Sequence, residues 1–293
     1  MSMPFPPFEP DAPEETKRRS IRGVPVRMLL PSMMTLLALC SGLTSIRLSF
    51  EGDFPIAIAA IVLAAVLDAL DGRVARALKS TSRFGAELDS LADFVNFGVA
   101  PSILLYAWLL DGLGNIGWIA GLVFAVCGAL RLARFNVALD DKDRPAWAGR
   151  FFVGVPAPAG ALTVLLPIYL QLAGVPTLEA GAPVVLLYEL VIGFLMVSRL
   201  PSFSGKQLGE RIPREYVLPV FMGVVLVTAL LIAFPWQVLA VGSVLYLSSL
   251  PLAFSTHRRL LGSRMAGNKA SAKTAKSPAA AQVPGRREEA PED

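Results

Sequence analysis

A chain of 293 residues that is 54% hydrophobic and 17% charged, with a mean hydropathy of +0.57, is not an ordinary soluble domain, which carries about 25% charged residues. A single histidine, His257, excludes histidine-based catalysis unless that one residue performs it. The two cysteines, Cys40 and Cys127, fall inside predicted spans and are expected to be buried small hydrophobes, neither a disulfide nor a metal site.

Residues 1–24 form a polar, proline-rich lead, with acids first (Glu9, Asp11, Glu14, Glu15) and then Lys17, Arg18, Arg19 and Arg22. This composition predicts a disordered lead ending in a basic segment at a membrane surface, with no cleavable signal peptide. Apolar runs follow at 28–49, 54–78, 84–110, 116–135, 152–172, 182–197, 216–234 and 237–254. Most approach the ~20 residues needed to cross a bilayer, and the sixth is short and interrupted by Glu189. Thr35, Ser41, Gly42 and Thr44 in the first run are expected mainly to serve helix packing. Residues 262–293, rich in Ala, Ser, Lys, Pro and Glu, predict a disordered tail. The expected fold is all-α: a polytopic membrane bundle of about eight helices over residues 25–261.

With eight crossings, one side holds Lys17–Arg27, Arg76, Lys79, Arg83, Arg131–Arg150, Arg199, Lys206, Arg211, Arg214 and the basic tail. The opposite loops hold Glu51, Asp53, Asp111 and Glu179, with Arg47 as the exception. Positive charge stays on the cytoplasmic side, so both termini are expected in the cytoplasm.

The densest chemistry lies between Asp68 and Asp93, which reads D-x2-D-G-x2-A-R-x8-G-x3-D-x3-D. Four carboxylates in or beside apolar runs lose hydration, so each calls for a cation or a cationic partner. Asp68, Asp71, Gly72 and Ala75 share one helical face, and Asp89 and Asp93 lie one turn apart on the next helix, with Gly85 a turn earlier. An antiparallel pair of such helices aims four hard oxygen ligands at one point, which suits Mg²⁺ or Mn²⁺ and has room for two ions. Gly72 and Ala75 leave the helix backbone bare for a flat ligand, and Arg76 ends the helix with a fork suited to phosphate. The competing reading is an ion pathway through a transporter or channel. It predicts acids spread through the membrane depth, whereas these gather at one end.

The motif resembles the signature of the CDP-alcohol phosphatidyltransferase family at every fixed position. The resemblance implies a membrane enzyme with a two-metal site that displaces CMP from a CDP-linked lipid by an alcohol. It implies Asp68, Asp71 and Asp89 as metal ligands, Asp93 as a further ligand and general base, and Gly72, Ala75, Arg76 and Gly85 as contacts to the CDP moiety. Arg131-Leu-Ala-Arg134-Phe-Asn136, followed by Phe152-Val-Gly-Val-Pro156-Ala-Pro158, is similar to the bacterial phosphatidylserine synthase branch. That points to CDP-diacylglycerol and L-serine as substrates, with Arg131, Arg134 and Asn96 at the acceptor or lipid phosphate. Glycerol 3-phosphate, choline and inositol phosphate are the alternative acceptors. The family pattern departs at Ala38, where relatives often carry Asn, and at Asn96, where they often carry Ser. A multi-pass protein of the inner membrane, a homodimer, membrane lipid as partner and no nucleic acid complete the expectation.

Overall fold

The computed structural model of the protein describes residues 26–78, 80, 82–140, 151–176, 181–198, 201–203 and 214–251. The N-terminal lead, the charged loop 141–150, His257 and the C-terminal tail lie outside them. Helix α1 (Val26–Glu51) turns at Gly52, with φ +79°, into α2 (Phe54–Ala77). Helix α3 (Arg83–Asp93) runs through a wide π-helical turn (Phe94–Val99) into α4 (Ala100–Trp108), and a 3₁₀ turn (Leu110–Leu113) precedes α5 (Asn115–Asp140). Strand β1 (Phe151–Val153), α6 (Ala157–Val164), α7 (Leu166–Leu172), α8 (Gly181–Val197), strand β2 (Pro201–Phe203), α9 (Arg214–Ala233) and α10 (235–251) follow.

Hydrocarbon offers the backbone no hydrogen-bond partners, so apolar sequence of this length closes its bonds internally as helix. Among the described residues, five segments are long and apolar enough to cross a membrane: Leu29–Glu51, Phe54–Ala77, Arg83–Trp108, Asn115–Ala138 and Tyr216–Ala233. The chain is a helical membrane protein. Its outward faces carry large apolar side chains such as Leu37, Leu63, Ile119 and Phe194, and α9 is exposed along its length. A water-facing surface of this kind is unstable, whereas lipid accepts it.

The fully buried interior includes Ile58 and Ile61 of α2, Phe97 of the π-turn, Leu104 and Leu105 of α4, Phe124 of α5, Tyr169 of α7 and Met196 of α8. Pro101 explains the wide turn beside it. A proline cannot donate to the carbonyl four residues back and its ring crowds that carbonyl. The ladder instead widens, and the Ala100 N–H bonds to the Val95 carbonyl. The turn brings Asn96, 1% exposed, onto the backbone of α1 at Gly42. A Cβ at Gly42 would lie 2.9 Å from the Asn96 Cγ, so only glycine allows this approach.

Several sequence expectations are corrected here. Residues 151–153 do not open a helical span; they form a short antiparallel ribbon, Phe151 opposite Phe203 and Val153 opposite Pro201. A pairing partner so distant in sequence leaves no local signal, and the helix begins only after Pro156. The segment then breaks at Leu165 into α6 and α7, with Pro167 in the first turn of α7. The sixth run is one continuous 17-residue helix despite Glu189, which is fully buried within it. Cys127 is buried as expected, but Cys40 is exposed on the outer face of α1.

Replacing Gly42 by Val should drive α1 away from the π-turn. We expect a loss of about 1–3 kcal/mol of stability, read as a lowered apparent Tm in detergent, while Gly112→Val, in open space, leaves Tm unchanged.

Candidate active site

The reversal between α2 and α3 builds the site. The Leu78 N–H bonds back to the Val74 carbonyl and ends α2. Ser82, in extended conformation, accepts the Gly85 N–H at 3.0 Å and caps α3. The acid-bearing ends of the two helices are thereby brought together. One carboxylate oxygen from each of Asp68, Asp71 and Asp89 lies within 4.8 Å of the other two. Asp93, one turn beyond Asp89, lies close enough to Asp68 to interact with it directly. Bare carboxylates repel at such separations, so the arrangement requires a proton or a cation among them. Converging hard oxygens fit a divalent cation of the magnesium and manganese kind.

Helix α1 fixes one ligand. The Thr35 hydroxyl donates to Asp71 Oδ2 at 2.6 Å and also lies 3.1 Å from the Pro31 carbonyl. Asp71 is 4% exposed, so that hydrogen bond holds a carboxylate with little water to compete. Arg131 of α5, outside the cavity described below, lies within electrostatic reach of Asp93 and Asp68, with its guanidinium 5.9 Å from the centroid of the Phe135 ring.

A cavity of about 370 Å³ opens against the acids, with Asp71 and Asp89 in its wall. Gly72, Ala75, Arg76 and Gly85 all line it, so the four positions expected to touch a nucleotide meet in one space. Pro31, Ser32 and Thr35 of α1 and Ser80 and Ser82 of the reversal close the remaining sides. A Cβ at Gly72 would meet only the Arg76 guanidinium, at 3.6 Å, so that part of the wall is bare backbone.

The three acceptor candidates separate. Arg131 faces the acids. Arg134 donates from Nη1 to the Val197 carbonyl at 2.6 Å and so caps the C-terminus of α8. Asn96 is buried against Gly42 and does not line the cavity. Asn136, from the same stretch as the arginines, ties α5 to α3 by donating from Nδ2 to Ser90 Oγ at 2.9 Å. Sequence reasoning missed Thr35 as a partner of Asp71. Its signal was a hydroxyl in the first run, one turn beyond a proline, on a helix that must pack against the acid-bearing one.

The profile of the CDP-alcohol phosphatidyltransferase family matches residues 28–196, which contain every acid of the cluster and the whole cavity. The chain belongs to this family. A second profile, CDP-alcohol phosphatidyltransferase 2, matches residues 215–251, the α9–α10 pair. A CDP-diacylglycerol–serine O-phosphatidyltransferase of Mycobacterium leprae is 41% identical over 245 residues, 84% of this chain and 80% of that protein. One from Helicobacter pylori is 36% identical over 222 residues, covering 75% of this chain and 88% of that protein. One from Methanocaldococcus jannaschii is 38% identical over 189 residues, covering 64% and 79%. The family is metal-dependent in general and transfers phosphate-containing groups, and the aspartate cluster is suited to that dependence.

Thr35→Val keeps the side-chain shape and removes the hydrogen bond to Asp71. Titration of Mn²⁺ followed by paramagnetic resonance should show affinity weakened about tenfold, with Thr35→Ser close to the parent.

Proposed function

We propose that the protein transfers the phosphatidyl group of CDP-diacylglycerol to the hydroxyl of L-serine, giving phosphatidylserine and CMP. The observation that carries this reading is the convergence of Asp68, Asp71 and Asp89 on the wall of a cavity also lined by Gly72, Ala75, Arg76 and Gly85. The kinship to serine phosphatidyltransferases supports the choice of acceptor.

Asp68, Asp71, Asp89 and Asp93 hold two divalent ions, Mg²⁺ or Mn²⁺. When bound, such ions offset the charge of a diphosphate as it is cleaved. The protein's own groups do the rest. The bare backbone at Gly72 and Ala75 lets the nucleotide lie close against α2, Gly85 does the same on α3, and Arg76 presents its fork to a phosphate oxygen. Asp93 takes the proton of the serine hydroxyl as its oxygen bonds to the phosphorus bearing diacylglycerol and the bond from that phosphorus to the CMP oxygen breaks. Arg131, beside Asp93, pairs with the serine carboxylate. Arg134 and Asn96 support the framework around that position.

The reading also places the protein. The charge pattern supports eight crossings of the inner membrane, with both termini and the acid-bearing helix ends on the cytoplasmic side. Trp108, Trp118 and Trp236 lie at the helix ends away from the acids, in keeping with an aromatic belt at the far interface. CMP and serine then exchange with the cytoplasm while the lipid tails stay in the bilayer. A homodimer is part of this proposal, on the family resemblance.

Purified protein with Mn²⁺ and CDP-diacylglycerol should release CMP on addition of L-serine. Asp93→Asn should lower that rate by about 10²–10⁴ without changing the apparent Tm. CMP release with glycerol 3-phosphate, choline or an inositol phosphate, and none with serine, reassigns the acceptor; metal-dependent ion flux without CMP turnover overturns the enzyme reading. Gly72→Val, which projects into the cavity, should raise KM for CDP-diacylglycerol and leave the fold intact.

A further inference from the structure

The cavity has two ends of different chemistry. Asp71 and Asp89 stand at one, and the reversal between α2 and α3 forms the other, with Ser80 and Ser82 in its wall. Most of the hydroxyls around it are accounted for. Thr35 donates to Asp71, and Ser82 accepts the Gly85 N–H. Ser32 is partly exposed, so water can serve it. Ser80 differs from all three. It is 7% exposed, and its Oγ has no hydrogen-bond partner among the described residues and no contact with solvent. Its backbone N–H bonds to the Ala75 carbonyl at 3.0 Å, which fixes the residue over the end of α2. Serine has one heavy-atom rotor, so a step between staggered positions is enough to turn the oxygen onto a ligand in the cavity.

A buried hydroxyl without a partner lowers stability, so one kept at the wall of a cavity calls for a role there. Its neighbours define what would meet it. On the proposed function the diphosphate lies at the acids. Helix α2 rises about 6 Å from Asp71 to Ala75, four residues at ~1.5 Å each. Ser80 stands just past that point, tied to the Ala75 carbonyl. A nucleoside diphosphate with its phosphates at the acids therefore brings its sugar, the next part of the molecule, toward Ser80. A serine hydroxyl donates one hydrogen bond and accepts others, which matches a sugar hydroxyl in either sense.

We propose that Ser80 is a sugar-recognition residue: its hydroxyl bonds to a ribose hydroxyl of the bound cytidine nucleotide. This rests on the CDP-diacylglycerol reading above. It gives the link between α2 and α3 a part in substrate choice that the acid motif does not contain. A site that hydrogen-bonds a substrate hydroxyl discriminates against the analogue lacking it, because the protein group is then left unpaired.

The test is calorimetric titration of the purified full chain, in the presence of Mn²⁺, with CDP, 2′-deoxy-CDP and 3′-deoxy-CDP. The parent should bind one of the two deoxy nucleotides about three- to tenfold more weakly than CDP, the worth of one neutral hydrogen bond. Ser80→Ala should weaken CDP by the same factor and leave the affinity for that deoxy nucleotide within about twofold, which also shows that the variant is folded. Equal affinity of the parent for all three nucleotides overturns the inference. So does a Ser80→Ala variant that weakens all three alike, or none of them. Parent protein that binds no CDP overturns the nucleotide reading itself, a result seen before any variant is made.

Discussion

The constraint on which the rest of the structure depends is the crowding of like charge. Three carboxylates from two helices lie within 4.8 Å of one another, and a fourth, Asp93, adjoins the first. Charges of one sign at that separation repel by several kcal/mol even at an effective dielectric constant near 20. The helices cannot relieve this by separating. The reversal capped by Ser82 holds their ends, Thr35 of α1 holds Asp71, and Asn136 of α5 holds α3 through Ser90. The scaffold therefore keeps a strong demand for positive charge at one point, and Arg131 meets only part of it from one side.

The small residues follow from the same demand. On the proposed function a polyanionic substrate comes close to the acids, which requires room beside them. Gly72, Ala75 and Gly85 provide that room in the cavity wall. Gly42 provides a different kind of room, letting the π-turn carry Asn96 onto α1 and seat the base of α3. Small residues thus act here in two ways, one as open surface for a ligand and one as close helix contact.

The acid cluster was legible in the sequence because a helix converts spacing into direction. Separations of three and four residues put Asp68 with Asp71 and Asp89 with Asp93, and the short link from Leu78 to Ser82 leaves α3 little choice but to return beside α2. The roles of Arg134 and Asn96 were not legible. One caps α8 and the other rests on α1, and each partner is fixed only by tertiary packing. The 151–153 ribbon escaped notice for the same reason, since its partner strand lies beyond α8. The π-turn was not foreseen either: Pro101 stands in the third run, but proline alone does not say whether a helix will kink, end or widen.

The central claim is that α2 and α3 grip divalent ions jointly. Crystals of the protein soaked in Mn²⁺ and measured at the manganese absorption edge test it most directly. The account predicts anomalous peaks among the carboxylates of Asp68, Asp71 and Asp89, with the Asp93 carboxylate adjoining. Peaks bound by one helix alone, or no peak at this cluster in crystals that hold Mn²⁺ elsewhere, would contradict it.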